Sequence, residues 1–133
     1  MPESSSERMQ IGELANRAGV SQRTIHYYES LGLLRPTERE GQGYRYYDHT
    51  ALVRLHKINV LKKLGLSLDE IGQVIELYFE DPSGIRGKQQ VLNILEKHLA
   101  ETDERLLELQ KFRDDLVANI AIIKVYIAAA EER

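Results

Sequence analysis

The chain has 133 residues, which is enough for one small domain with an extended appendage. Its 18 Lys and Arg against 21 Asp and Glu give a formal net charge of −3, which excludes a uniformly basic DNA-coating protein. Residues 1–66 nevertheless carry a net charge of +3 and residues 67–133 a net charge of −6. An anionic partner is therefore expected at the first half of the chain.

The composition also excludes several kinds of chemistry. The chain has no cysteine, and so can form neither a disulfide nor a thiolate metal site. His49 and His56 are too far apart on one helix to share a metal, and a lone Gly-x-Gly at Gly41 lacks the strand and long helix of a phosphate-binding loop. We predict no catalytic residue, no cofactor and no metal.

The ends of the chain indicate no membrane segment. The longest apolar run, near residues 120–123, is far shorter than the roughly 20 residues that span a membrane. Residues 1–9 are mostly polar and lack the apolar stretch of a signal peptide, so they are predicted to form a disordered tail. A soluble, cytoplasmic protein is the expectation.

Two short helices follow the tail. Apolar residues from Ile11 to Ala18 recur on one helical face, and Gly19 stands where a left-handed C-cap is needed. Ser21 is a good N-cap for a second helix over about residues 22–30. Two such helices joined by a tight turn predict a helix-turn-helix, although any small helical hairpin would give the same pattern.

A hairpin is predicted next. Pro36 ends the helical pattern, and residues 37–47 place two glycines between β-favouring flanks rich in tyrosine. A two-stranded ribbon is unstable by itself and must pack on the helices, which together make a winged helix. The wing would carry Arg39 and Arg45.

Two more helices complete the domain. Asp48 is the expected N-cap of a third helix that reaches about residue 64, and Ser67 with Glu70 forms a capping box for a fourth. Residues 80–84 are a cluster of helix breakers. We therefore predict a mainly α protein, with a winged helix-turn-helix DNA-binding domain at residues 10–79 and a linker at residues 80–90.

A heptad pattern follows the linker. Ten positions are spaced alternately three and four residues apart, and charged residues fill most of the positions between them. We call these ten residues the seam: Leu92, Leu95, Leu99, Thr102, Leu106, Leu109, Arg113, Leu116, Ile120 and Ile123. One narrow apolar stripe on a long helix cannot bury itself, so residues 91–119 are predicted to form a coiled-coil dimerisation helix.

Two points about this helix stay open. It could instead fold back on the chain's own first domain, and the spacing does not say whether paired helices run parallel or antiparallel. Thr102 and Arg113 are polar seam residues of the kind that fix register at some cost in stability. Beyond residue 119 the apolar face widens, which predicts a short C-terminal helix at residues 120–133 that packs on the partner subunit.

The second helix carries the strongest functional signal. Its residues Gln22, Arg23, His26 and Tyr27 would project outward if Ile25 points inward. Long polar and aromatic side chains of this kind reach base edges and phosphates in a major groove. An ordinary amphipathic helix is the plainer interpretation, but the basic wing and Lys62 favour DNA.

At these residues the sequence resembles the MerR family of bacterial transcription regulators. The resemblance rests on IGELA from Ile11, GVSQRTIHYYE from Gly19, GLLRP from Gly32 and GYRYYD from Gly43. It implies a homodimer, paired through an antiparallel coiled coil, on a palindromic promoter with an overlong spacer. It also implies that DNA untwisting and kinking realign the promoter elements for RNA polymerase.

The resemblance further implies which residues contact DNA. Arg23 and Tyr27 match recognition-helix contacts, and Arg45 matches the arginine of the wing. His26 departs from the arginine usual in the family. The full set of predicted DNA-binding residues is Gln22, Arg23, Thr24, His26, Tyr27, Tyr28, Arg39, Arg45, Tyr47 and Lys62.

The effector is the least determined feature. Metal-sensing and redox-sensing members of this family use cysteines, which are absent here, so a small organic molecule or no effector is expected. Candidate pocket residues are Tyr78, Phe79, Phe112 and Tyr126, although packing between subunits explains them as well. The competing functions are an architectural or recombination accessory DNA-binding protein and a protein-interaction module.

Overall fold

The computed structural model describes residues 8–36, 38–40 and 44–132. Its elements, in chain order, are α1 (Ile11–Ala18), α2 (Gln22–Ser30), β1 (Glu38–Glu40), β2 (Tyr44–Tyr46), α3 (His49–Lys63), α4 (Leu68–Glu80) and α5 (Ile85–Glu131). The chain is mainly helical, with a winged helix-turn-helix followed by a long C-terminal helix, which confirms the predicted fold class.

The turn between α1 and α2 has the predicted chemistry. Gly19 adopts a left-handed conformation with φ of 71°, which a residue with a side chain would adopt only with strain. The Ser21 hydroxyl then accepts a 3.0 Å hydrogen bond from the backbone N–H of Thr24 and caps α2. The two helices are thereby held as a helix-turn-helix.

The wing is a two-stranded antiparallel ribbon. Arg39 lies opposite Arg45 in its register. Beyond β2, Tyr47 forms an isolated antiparallel bridge with Met9, in which each backbone N–H donates to the other residue's carbonyl at 2.7 and 2.8 Å. Met9 is also buried, because its apolar side chain fills space in the core. The prediction that the disordered tail includes residue 9 is therefore wrong. Residues 1–7 of that tail lie outside the described residues.

The helices α3 and α4 begin as the sequence predicts. The Asp48 carboxylate accepts from Thr50 N–H at 2.9 Å, and Ser67 and Glu70 form a complete capping box. The core of this first unit is apolar and includes Met9, Leu14, Ile25, Tyr28, Leu33, Leu34, Tyr47, Leu55, Ile58, Leu61, Leu66, Ile71, Val74 and Ile75.

The long helix α5 differs from the prediction at both ends. It begins at Ile85, so the connection from α4 covers residues 81–84 rather than 80–90. It then continues to Glu131, so residues 120–131 extend α5 instead of forming a separate short helix. The widened apolar face does not break the helix because residues 88–133 contain neither glycine nor proline.

The contacts divide the chain inside α5. The first compact unit ends at Leu92, and the second runs from Asn93 to Arg133. The helices of the described residues include none that is both long and apolar enough to cross a membrane.

Candidate nucleic-acid interface

Helix α2 presents a polar face to solvent. Ile25 is fully buried, and the helical repeat then turns Gln22, Arg23, His26 and Tyr27 outward, as predicted. Tyr27 is 53% exposed, a large fraction for an aromatic residue. We call these four residues the α2 face. It offers amide, guanidinium, imidazole and phenol groups, which are the hydrogen-bonding groups that nucleic-acid contacts use.

Two of the predicted DNA-binding tyrosines instead lie beneath this face. Tyr28 is 1% exposed and Tyr47 is fully buried, so both rings belong to the core. Each ring fills core space while its hydroxyl finds a polar partner, and a contact of either residue with DNA stays a prediction. Their role is to support the residues around them.

The first support joins α2 to the base of the wing. The Tyr47 hydroxyl donates a 2.9 Å hydrogen bond to the carboxylate of Glu29, whose side chain is only 11% exposed. The same carboxylate lies 3.5 Å from Nδ1 of His26, which is 55% exposed. A chain of polar contacts thus runs from the buried Tyr47 to an outward residue of the α2 face.

The second support joins α3 to α2. The Lys62 ammonium donates to the Tyr28 hydroxyl at 3.3 Å and lies 5.9 Å from the centre of its ring. Lys62 is otherwise exposed, so its charge stands at the surface beside α2. The structure therefore brings together α2 and Lys62, two elements that the sequence assigned to one DNA interface.

Thr24 takes part in the cap of α2, and its contact with DNA stays a prediction. It is half-buried, and its hydroxyl shares a 2.9 Å hydrogen bond with the Ser21 hydroxyl at the start of α2. Its visible function is to complete the helix cap.

For the two arginines of the wing, the structure describes the backbone positions. Arg39 and Arg45 face each other across the ribbon, and their side chains lie outside the described residues. The adjacent Tyr46 ring carries the guanidinium of Arg8 at 5.4 Å from its centre. Arg8 adds a positive charge near the wing that sequence reasoning missed, because it was assigned to the tail.

Arg54 is a second residue that sequence reasoning missed. Its Nε donates a 2.6 Å hydrogen bond to the carbonyl of Leu33, just after α2, and its guanidinium pairs with Glu76 of α4. It also lies over the ring of Phe79, 5.4 Å from the centre. Arg54 thus holds the segment that follows α2 against α3 and α4. The signal that could have pointed to Arg54 is a charged residue on the half-buried side of α3.

The candidate effector residues divide between the two units. Tyr78 and Phe79 lie in the first unit, and Phe112 and Tyr126 lie on α5 in the second. The Tyr78 ring is already packed: the Lys57 ammonium lies 4.3 Å from its centre, and burial raises the pKa of its hydroxyl. Within the described ranges, no group of three or more His, Cys, Asp or Glu residues could hold a metal ion.

A capped helix-turn-helix with an adjoining ribbon, an exposed polar α2 face and flanking cations defines a winged helix-turn-helix DNA-binding protein. Comparison with known families makes the class specific. Residues 9–77 match the model of the MerR HTH family regulatory protein, and residues 52–118 match the MerR DNA-binding model. The chain belongs to the MerR family of transcription regulators. This confirms the resemblance that the sequence predicts.

Individual relatives agree with this assignment. The HTH-type transcriptional regulator HmrR of Rhizobium leguminosarum bv. viciae is 40% identical over 108 residues, which cover 81% of each chain. The nodulation protein NolA of Bradyrhizobium sp. (strain NC92) is 37% identical over 109 residues, covering 82% of this chain. That match covers 42% of NolA, so the chain spans less than half the length of this relative.

Solved structures show the same fold. The lead(II) complex of the regulator PbrR691 from Ralstonia metallidurans CH34 aligns with a TM-score of 0.66 at 33% identity and covers 82% of both chains. A cryo-EM structure of an EcmrR–DNA complex aligns with a TM-score of 0.52 at 26% identity and covers 78% of this chain and 38% of that one.

Proposed function

We propose that this chain is a homodimeric regulator that binds a palindromic promoter operator through the α2 face. The observation that carries the proposal is the α2 face itself, four outward polar side chains on a helix whose underside is fixed by the core. Because Glu29 and Tyr28 are held by Tyr47 and Lys62, the face is preorganised, and DNA binding would order few additional groups.

The second copy is supported by the exposure of the seam. Leu99, Leu109 and Ile123 are 61%, 64% and 56% exposed on a single chain. An isolated helix leaves such a stripe in water, whereas pairing of two helices buries it. Burial of apolar surface stabilises the pair by about 25 cal/mol per Å². Two copies related by a twofold axis would present two α2 faces to two half-sites, which matches a palindromic operator.

The proposed action on transcription is a change in DNA shape. A dimer that grips two half-sites can stabilise bent and untwisted DNA between them, and this distortion would bring separated promoter elements into line for RNA polymerase. The EcmrR–DNA complex supports DNA as the ligand of this fold. Promoter binding places the protein with the chromosome, in the cytoplasm and at the nucleoid.

No effector pocket is proposed at α4. Tyr78 packs against Lys57, and Phe79 lies under Arg54, so both aromatic rings already have structural partners. A regulator that binds its operator without an effector is the simpler proposal, and a small organic effector would require a site elsewhere.

The test is selection of bound duplexes from random DNA by the purified protein at two salt concentrations. A single enriched palindrome, with affinity that falls steeply as salt rises, is the expected result. Salt-sensitive binding with no enriched sequence would overturn the proposal in favour of an architectural or recombination accessory protein.

Two variants sharpen the test. Arg23→Ala should abolish enrichment at one position of each half-site, because a base contact carries sequence information. Arg86→Ala removes the same charge from α5, outside the helix-turn-helix, and should leave the enriched sequence unchanged. Equal effects of the two variants would show that the α2 face is not the reading surface.

A further inference from the structure

A cleft on the first unit lies between the segment after α2, the start of α3 and α4. Its volume is about 530 Å³, which is within the usual range of sites for small molecules. We call it the α3 cleft and define it by six residues that line it: Gly32, Arg35, Asp48, Thr50, Arg54 and Glu76. Four of these side chains are ionisable, so the cleft suits a charged ligand. The candidate effector residues Tyr78 and Phe79 do not line it.

The two carboxylates of the cleft already have partners. The Asp48 side chain accepts a 2.9 Å hydrogen bond from the backbone N–H of Thr50 and caps α3. The Glu76 carboxylate pairs with the guanidinium of Arg54. A cationic ligand would have to displace one of these contacts, so the cleft is poorly suited to a cation.

The two arginines, by contrast, retain unused donors. Arg54 donates from Nε to the Leu33 carbonyl and from Nη2 to Glu76, and its Nη1 makes no hydrogen bond within the ranges that the structure describes. Arg35 is exposed, and its side chain makes neither a hydrogen bond nor an ion pair with a described residue. A guanidinium presents its donors in a planar fork that matches a carboxylate. The free hydrogen-bonding capacity of the cleft is therefore suited to an anion.

The guanidinium of Arg54 is held in place before any ligand binds. Its hydrogen bonds to Leu33 and Glu76 fix its edge, and its face lies 5.4 Å from the centre of the Phe79 ring. The Arg54 side chain is 17% exposed, so a hydrogen bond that it donates is partly shielded from water. An anion at Nη1 would thus meet a donor that needs little further ordering.

The charge balance and the apolar part of the wall narrow the class of ligand. Two arginines and two acids leave no surplus of positive charge, so a doubly charged phosphate would meet Asp48 and Glu76 without compensation. A carboxylate carries one charge and matches the guanidinium fork. Leu34 and Ala51 also line the cleft and offer an apolar surface to a short carbon chain.

We propose that the α3 cleft binds a small organic monocarboxylate, and that its occupancy changes the affinity of the α2 face for DNA. The carboxylate accepts hydrogen bonds from Arg35, from Nη1 of Arg54 and from the Thr50 hydroxyl. This site is separate from the aromatic rings of α4, as an organic effector would require. The effector role rests on the proposed function, whereas binding of the carboxylate does not.

The coupling to DNA follows from where the cleft lies in the fold. Gly32 and Arg35 belong to the segment that directly follows α2, and Arg54 donates to Leu33 of the same segment. A ligand that joins Arg35 to Arg54 therefore acts on the end of the helix that carries the α2 face. Linkage requires that the ligand change DNA affinity by the same factor by which DNA changes the affinity for the ligand.

Nuclear magnetic resonance titration of the natural chain with butyrate tests binding in the absence of DNA. The expected result is saturable shifts of the backbone amide signals of Gly32, Thr50 and Ala51. Butyramide, the neutral counterpart, and sodium chloride at equal ionic strength should give no such shifts. Absence of saturable shifts with both acetate and butyrate would overturn the site, and tighter binding of inorganic phosphate than of butyrate would overturn the assigned ligand class.

Two substitutions of Arg35 test its part in the site. Arg35→Ala should weaken butyrate binding about tenfold, because it removes a charge-assisted pair of hydrogen bonds. Arg35→Lys should restore only part of the affinity, since an ammonium keeps the charge and loses the fork. Arg86→Ala is the control, because it removes an exposed arginine from α5. Equal weakening by the two alanine variants, with helicity as the folding check, would overturn the site.

The effector role is measured on the palindrome enriched by the natural chain, with and without saturating butyrate at equal ionic strength. The DNA dissociation constant should change about fivefold or more for the natural chain and should not respond to butyrate in Arg35→Ala. An unchanged dissociation constant with butyrate bound would overturn the effector role. Failure to enrich any palindrome would overturn the proposed function, and the titration without DNA would still decide whether the cleft binds a carboxylate.

Discussion

The hydroxyl of Tyr47 donates a 2.9 Å hydrogen bond to the carboxylate of Glu29, and this contact joins the base of the wing to helix α2. Tyr47 is fully buried, and Glu29 is nearly so. The Tyr47–Glu29 hydrogen bond spans 18 positions of sequence. Because Glu29 also lies beside His26, it links a core residue to a candidate DNA contact. It fixes the wing and the recognition helix relative to each other within the first unit.

Removing only the Tyr47 hydroxyl should therefore lower stability. Tyr47→Phe keeps the ring in the core but deletes a hydrogen bond to a carboxylate, which is typically worth about 1.5–3 kcal/mol. Tyr27→Phe is the matched control, since it deletes the same hydroxyl from an exposed ring and should leave the unfolding free energy nearly unchanged. Urea unfolding measures both variants, and equal losses would contradict the supporting role of Tyr47.

The substitution His26→Arg should strengthen DNA binding on all sequences alike. A guanidinium is permanently charged and offers more donors than imidazole, so it gains about one phosphate contact. We expect roughly a three- to tenfold gain in affinity at low salt and a steeper salt dependence.

The control for this variant is His56→Arg, which adds the same charge at an exposed position of α3. Titrations on several unrelated duplexes at two salt concentrations measure both proteins. A loss of affinity in His26→Arg, or an equal gain in the control, would show that residue 26 does not approach the DNA backbone.

The features predicted correctly from the sequence are those set by neighbouring residues. The left-handed Gly19 and the capping box of Ser67 and Glu70 depend on local backbone chemistry, which a short window contains. The burial of Tyr28 and Tyr47 depends on elements up to 34 positions away, as the Lys62 contact shows. Tyrosine suits a core and an interface equally well, so composition could not separate these roles.

In the long helix α5, the sequence pattern predicts a boundary that the structure does not have. The change of apolar pattern after residue 119 predicts a new element, but no residue there interrupts the backbone hydrogen bonds of α5. The pattern of apolar residues indicates which faces of a helix are buried, whereas the continuity of the helix depends on where helix-breaking residues occur. Arg54 illustrates a third case, because its link between Leu33 and Glu76 depends on three segments that only the tertiary fold brings together.

Gly87 should resist substitution more strongly than another helical glycine. It is buried at the start of α5, and a Cβ there would lie 2.6–2.8 Å from three atoms of the Tyr78 ring, Cδ2, Cε2 and Cγ. Gly87→Ala should therefore destabilise the first unit by about 1–3 kcal/mol, despite the better helix propensity of alanine. Gly72→Ala is the control, since its Cβ would meet Leu33 at an ordinary 3.5 Å. That variant should gain up to about 1 kcal/mol in unfolding free energy.

The start of α5 should weaken in acid through Asp81. Hydrogen bonds from the Arg86 N–H, the Ser83 hydroxyl and the Ser83 N–H hold the pKa of the Asp81 carboxyl below its ordinary value of 3.8. A depressed pKa means that the carboxylate stabilises the folded chain at neutral pH. This contribution disappears as the pH falls below about 4 and through the folded-state pKa.

The variant Asp81→Asn should therefore have a lower melting temperature than the natural chain at pH 7, and the difference should shrink in acid. Glu80→Gln is the control, because it removes the neighbouring negative charge and keeps the hydrogen bonds of Asp81 with Ser83 and Arg86. An Asp81→Asn difference that is constant from pH 7 to pH 3 in thermal melts would contradict the capping role of the charge.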